Sequence, residues 1–214
     1  MFVACWSAKG GSGTTVVAVA LATVLARSHP EVLLVDLAGD VPAVAGMPEP
    51  HGPGVADWLA AGDEVPVDAL GRLEEPAPNG VRVLPRGTAP VGDQRGEVLA
   101  ALLATDARPV VVDCGSVPTG ARLALTAAAT TSLLVLRPCY LALRRAIEFP
   151  LRPSGVVLLD EVGRAIDAAD VEAALGVPVR ALLPVEPAIA KSVDAGTFGS
   201  RLPRRFEREL RRAA

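Results

Sequence analysis

The stretch Ser7 to Val17, SAKGGSGTTVV, has the residue types of a phosphate-binding loop. Gly10, Gly11 and Gly13 allow positive φ and a close approach of backbone to ligand. Successive N–H groups, Ser12 and Thr14 included, then point into one concavity, and the helix that follows adds the partial positive charge of its N-terminus. The usual pattern is G-x-x-x-x-G-K-[ST]. Here Ala8 and Gly13 take the glycine places, Thr14 stands where the lysine belongs, and Thr15 holds the hydroxyl place that meets Mg²⁺. The chain's only lysines are Lys9 and Lys191, and one of them lies inside this loop.

Two acids end apolar runs elsewhere. Asp36 follows VLLV and Asp113 follows VVV. Asp113 stands like the acid that holds the magnesium of a P-loop NTPase, directly or through water. A strand, a glycine loop, a helix and a second strand ending in Asp point to nucleotide more strongly than the loop alone. A tight glycine turn without a ligand is the plainer alternative. No Ser/His/Asp or Cys/His constellation is apparent. His29 and His51 sit in turn-like Pro and Gly contexts, and Cys5, Cys114 and Cys139 have no metal-like spacing, so they read as free thiols.

The elements that must hold these residues alternate. Met1 to Trp6 reads as a strand, and Thr14 to Arg27, unbroken by Gly or Pro, as a buried helix ended by His29-Pro30. Val32 to Val35 is the next strand, completing a βαβ unit. Residues 40–90 are looser, with a small helix at Val55 to Ala61 and a strand at Val81 to Leu84. Beyond them the pattern predicts helices over Gly96–Thr105, Ala121–Ala129, Tyr140–Phe149 and Asp170–Leu175. Strands are predicted at 109–112, 132–136, 155–159 and 179–183, followed by a helical tail. This is an α/β chain: a single-domain P-loop NTPase fold over residues 1–214, with a mostly parallel twisted sheet, helices on both faces, and 201–214 as an Arg-rich C-terminal helix. In such sheets ligands bind at the carboxyl ends of strands, where the loop, Asp36 and Asp113 all fall.

The 214 residues are 50% hydrophobic but only 3% aromatic, as expected of Ala-, Val- and Leu-rich strands between packed helices. The formal net charge of −3 gives no global pull toward nucleic acid or anionic membrane. The N-terminus enters a strand rather than a signal peptide, and Arg137 and Pro138 cut the best apolar run, so a cytoplasmic location is expected.

At this point the residues resemble the ParA/MinD superfamily, P-loop ATPases with a deviant loop, K-G-G-x-G-K-[ST], whose extra signature lysine precedes the glycines. Lys9-Gly10-Gly11-Ser12-Gly13 matches it. VLLVDLAGD, Val32 to Asp40, is similar to the group's second strand with its V-D-x-D acids. PVVVDCGSVP, Pro109 to Pro118, is similar to its magnesium-site strand, and Ser132 to Ala146 to its next strand and helix. Ala181 to Gly196, with Pro184 and Glu186, resembles the late loop that lies against adenine. The pairing of Lys9 with a Thr after the last loop glycine is most like the TadZ/CpaE subgroup, associated with assembly and polar placement of Tad-type pili. The resemblance implies ATP and Mg²⁺ as cofactors, with Lys9 through Thr15 on the phosphates and Thr15 and Asp113 on the metal. It implies a homodimer closed by ATP, in which Lys9 reaches the partner's phosphates. It also implies a protein partner from a pilus, secretion or partition system.

The pattern breaks at three places. Thr14 cannot bring positive charge to the phosphates, which costs ~1.5–3 kcal/mol of charge-assisted contact. Ala38 replaces the second acid of V-D-x-D, which helps position the attacking water; Asp36 remains as a weakened catalytic candidate beside Lys9, and Asp40 could substitute only if the backbone bends differently. Asp160-Glu161 stands where the family often reads the base with asparagine, leaving the base open. Slow or absent hydrolysis follows from the first two losses. In the tail, Leu202, Phe206 and Leu210 form one apolar stripe, while Arg204, Arg205, Arg208, Arg211 and Arg212 form a basic face. A docked helix with a solvated face is the first reading of it. Non-specific DNA binding through those arginines is the second, and membrane attachment is disfavoured because the stripe is short. Against the nucleotide-regulated switch stand an active partition-type ATPase for segregation or division-site placement, and a nucleotide-free pseudo-ATPase scaffold.

Overall fold

The computed structural model describes residues 1–62 and 65–213. Strand β1 (Phe2–Ser7) runs into the glycine loop and helix α1 (Thr14–Leu25), then β2 (Val32–Asp36). α2 (Val41–Ala45), α3 (Val55–Ala60), a 3-10 turn (Val67–Leu73), β3 (Glu75–Pro76) and β4 (Val81–Leu84) fill the stretch that looked loose in sequence. α4 (Gly96–Thr105), β5 (Val110–Ser116), α5 (Gly120–Ala128), β6 (Thr131–Leu136), α6 (Tyr140–Glu148), β7 (Gly155–Asp160), α7 (Ala168–Leu175) and β8 (Val179–Pro184) then alternate. α8 (Pro187–Asp194) and α9 (Arg204–Ala213) end the described chain.

The sheet has the order β3-β4-β2-β5-β1-β6-β7-β8. Its pairs are parallel except β3 against β4. Period 2 divides each strand between two cores. Val3 and Cys5 of β1, Val32 and Leu34 of β2, and Val111 of β5 join the core under α1; Phe2, Ala4 and Trp6 join the opposite core with Leu33, Val35 and Val112. Asp36 and Asp113 share strand parity with Leu34 and Val111, so both carboxylates fall on the α1 face. The register places them side by side.

α1 is apolar on every side and buried from Val17 through Leu25. A helix of that kind needs cover beyond the sheet, and α2 and α9 supply it. Trp6 fixes the middle of the sheet from the other side: its Nε1 donates to Ser132 Oγ at 2.9 Å, and its ring lies 4.8 Å from that of Phe149.

The tail differs from the continuous helix expected over 201–214. α8 ends at Asp194, and α9 starts at Arg204, with Pro203 accepting the Glu207 amide at 3.1 Å. The proline disfavours helical backbone at Leu202 before it, so Arg201 lies outside the helix; Ala214 lies outside the described residues. The apolar stripe still docks: Leu202, Phe206 and Leu210 are buried, and Phe206 meets Phe198 edge to face at 6.1 Å. Among the tail arginines, Arg205 pairs with Asp160 at 3.4 Å, Arg208 with Glu209 at 3.2 Å, Arg211 with Glu207 at 2.6 Å and Arg212 with Glu209 at 3.6 Å. These four arginines thus share three carboxylates, Asp160, Glu207 and Glu209. Among the described residues no helix is long and apolar enough to cross a membrane.

Leu210→Ala is expected to destabilise the chain by ~2–5 kcal/mol, because it opens a cavity against α1 and β8. Arg208→Ala, at the exposed face, is expected to change stability by less than ~0.5 kcal/mol. Urea denaturation of the two variants measures both.

Candidate nucleotide site

The loop between β1 and α1 is held by its own hydroxyls. Ser12 Oγ donates to Lys9 O at 2.8 Å, and Ser7 Oγ to the same oxygen at 3.1 Å. Gly11 (φ 74°) and Gly13 (φ 78°) take left-handed backbone, and Gly13 is the N-cap of α1. The bond from Val17 N–H to Gly13 O, 3.0 Å, is the first of the helix, which leaves the preceding amides of the first turn for a ligand. A cavity of about 530 Å³ opens over this turn, lined by Gly10 to Val16 and by Ala38, Asp40, Ala43, Gly115, Ser116 and Arg122 among others.

Asp113 lies fully buried beneath that cavity. Its Oδ1 accepts the Gly115 amide at 3.0 Å, while Oδ2 is buried with no hydrogen-bond partner among the described residues. Burial is the main cause that pushes its pKa from the ordinary 3.8 to about 7, and the neighbouring carboxylate of Asp36 adds to the rise. The Thr15 hydroxyl lies close enough to lower it but closes no hydrogen bond to Oδ2. An orphaned carboxylate oxygen beside a hydroxyl is a hard-oxygen pair suited to Mg²⁺. Thr15 and Asp113 thus have the donor chemistry of a Mg²⁺ site.

Asp36 sits differently. Its Oδ1 accepts the amides of Ala38 (3.0 Å) and Gly39 (2.6 Å), and Oδ2 that of Val41 (3.1 Å), so it ties β2 to the start of α2. Burial raises its pKa against those three donors. The carboxylate faces a smaller cavity with Gly39, Arg86 and Thr88, not the cavity over the loop. Asp40, two residues beyond Ala38, does line the loop cavity, at the turn that starts α2. Lys9 does not line it: its Nζ is exposed and donates to its own Gly10 O at 3.3 Å.

Pro184 and Glu186 border a second cavity of about 280 Å³, which meets the first at Gly13 and Val16. Val17, Leu159, Ile189 and Phe206 give it an apolar wall, and Arg137 a charged edge. The supposed late loop is here a strand end followed by the helix α8. Glu161 pairs with Arg137 at 2.9 Å and also with Arg164, and Asp160 with Arg205, so the acids in place of a base-reading asparagine are occupied by arginines.

Sequence reasoning did not single out Arg122, Ser116 or Phe206 as site residues. Arg122 looked like an ordinary helical residue; a useful signal was its place one turn after the Gly-rich connection that leaves Asp113. Val117 in that connection holds φ at 48°, an outlier for a β-branched residue, while its amide donates to Ser7 O at 2.7 Å.

The architecture has clear relatives. MinD of Pyrococcus horikoshii complexed with Mg-ADP superposes with TM-score 0.81 at 18% identity, over 99% of this chain and 93% of that one. A ParA family ATPase from Chlorobium tepidum gives TM-score 0.77 at 19% identity, over 97% and 95%. An aspartate-to-alanine variant of Cyanothece McdA in complex with ATP gives 0.74 at 17%, over 99% and 94%. The chain has the fold of the ParA and MinD ATPases. No protein-family model matches the sequence, and no curated protein matches it.

The raised pKa of Asp113 predicts a pH dependence. Between 3.8 and about 7 the folded chain keeps a proton that the unfolded chain has lost, so this carboxyl's contribution to stability falls as pH rises through that window. Asp113→Asn carries no such loss. In metal-free buffer the variant is expected to unfold at a higher temperature than the native chain at pH 8, with the gap closing toward pH 4. A difference between the two chains that does not change with pH would refute the assignment.

Proposed function

We propose that this chain is an ATP- and Mg²⁺-binding, dimerising switch or scaffold of the ParA/MinD type that hydrolyses ATP weakly or not at all and recruits or positions a cellular machine. The observation that carries the reading is the glycine cavity at the start of α1, with the orphaned Oδ2 of Asp113 and the Thr15 hydroxyl at its base. Backbone amides at the N-terminus of α1 hold the phosphates. Thr15 and Asp113 hold the metal, which supplies charge neutralisation at the phosphates. The apolar second cavity at Gly13, with Leu159 and Pro184, receives the base.

Weak hydrolysis follows from three positions. Thr14 brings no charge, Ala38 offers only a methyl group to the cavity wall, and Asp36 spends its oxygens on backbone amides. Phosphoryl transfer relies on positioning as well as charge stabilisation, and with alanine at position 38 and Asp36 tied to backbone amides no carboxylate is left to position the attacking water. Lys9 Nζ, exposed and bonded only to a neighbouring carbonyl, is free to reach out of its own subunit toward a second copy. The Lys9–Thr14 combination supports a machine of the Tad pilus or secretion type and a protein partner for the dimer. DNA is the weaker partner, because Arg205, Arg208, Arg211 and Arg212 are ion-paired within the chain.

Solution mass without nucleotide, with Mg-ADP and with Mg-ATP tests this. Mg-ATP is expected to convert the native chain to a dimer while Lys9→Ala stays monomeric, with little phosphate released. Mass indifferent to nucleotide in both chains would leave a nucleotide-free scaffold. Fast turnover together with salt-sensitive DNA binding would instead mark a partition-type ATPase.

A further inference from the structure

We propose that Arg122 supplies, from within the same chain, the positive charge to the nucleotide's β- and γ-phosphates that Thr14 does not. The inference rests on the ATP-binding reading above. Arg122 stands in the first turn of α5, on the helix that follows β5 and its Asp113, and lines the same cavity as Gly10 to Thr15. Among the described residues it is the one cationic side chain in that lining, since Lys9 turns to its own Gly10 carbonyl.

Three observations point the guanidinium at an anion. First, its Nε is buried with no hydrogen-bond partner, and among the described residues Arg122 has no carboxylate within ion-pair distance, although Asp40 shares the cavity. A buried donor left unpaired costs free energy that an incoming acceptor recovers. Arg86, Arg95 and Arg137 also bury an Nε, but none of them lines this cavity. Second, the guanidinium is let in by small neighbours. A Cβ at Gly115 would sit 3.6 Å from Arg122 Nη1 and 3.3 Å from the Ala38 methyl. An acid at position 38 would share this cavity with the guanidinium and compete for it, and alanine brings no such charge. Third, the one acid in the described lining is Asp40, with Asp113 buried close to Thr15, and a polyphosphate entering beside these carboxylates needs a cation. Arginine suits the task because its planar fork stays charged and can grip two phosphate oxygens at once.

The missing loop lysine and the missing second acid are then linked: the charge lost at Thr14 returns from α5, and Ala38 leaves room for it. Calorimetric titration of Mg-ATP, Mg-ADP and adenosine into the native chain, Arg122→Ala and Arg122→Lys is the test, with circular dichroism to show that each variant is folded. Arg122→Ala is expected to weaken Mg-ATP roughly ten- to a hundredfold. Adenosine should be unaffected, and Arg122→Lys should fall between. Thr14→Lys is expected to restore Mg-ATP binding in the Arg122→Ala background. Native-like Mg-ATP affinity in Arg122→Ala, or an equal loss for all three ligands, would overturn the proposal while leaving ATP binding intact. A native chain that binds neither nucleotide would overturn both readings.

Discussion

α1 is buried on almost every side, and the cavity takes its shape from that burial. Because its apolar residues are covered by the sheet, α2 and α9, its first turn is fixed at the carboxyl ends of β1 and β5. The glycine loop has to bridge a buried strand and a buried helix in a few residues. It does so with left-handed backbone at Gly11 and Gly13 and with two hydroxyls folded onto the Lys9 carbonyl. A helix end held this firmly presents its free amides in one direction. The same packing aligns Thr15 with Asp113, which strand parity has turned to the α1 face.

The electrostatics of the cavity are unbalanced. Asp113 is fully buried with one oxygen unpaired, Asp36 lies beside it in the register, and Asp40 stands on the wall. Asp36 relieves its own burial through three amides, while Asp113 has a single amide and holds its pKa near 7. That difference separates an acid that organises a turn from an acid suited to a cation. The two breaks in the loop pattern, Thr14 and Ala38, line one cavity, and Arg122 lines it with them.

α9 shows how a strongly basic sequence can serve packing. Its stripe of Phe206 and Leu210 closes the core over α1, and Phe206 also forms part of the apolar wall of the second cavity. The helix therefore couples the tail to the region beside the loop, while its arginines pair along its own surface and with Asp160.

Sequence alone determined the alternating strands and helices, the glycine loop between β1 and α1, and Asp36 at the end of β2, because each follows from local periodicity or glycine spacing, whereas β5 runs on past Asp113 to Ser116. The docked apolar stripe of the tail was legible for the same reason. The short α2, β3 and the break at Pro203 were not, because elements of a few residues are stabilised by their neighbours more than by their own pattern. Only the tertiary structure decided that Asp36 turns to backbone amides while Asp113 keeps a free oxygen among the described residues, since two aspartates paired in register differ in which amides the following residues bring near. It also decided that Arg122, more than a hundred residues from the glycine loop, lines the same cavity. Strand order places β5 beside β1, and no local signal in the sequence carries that adjacency.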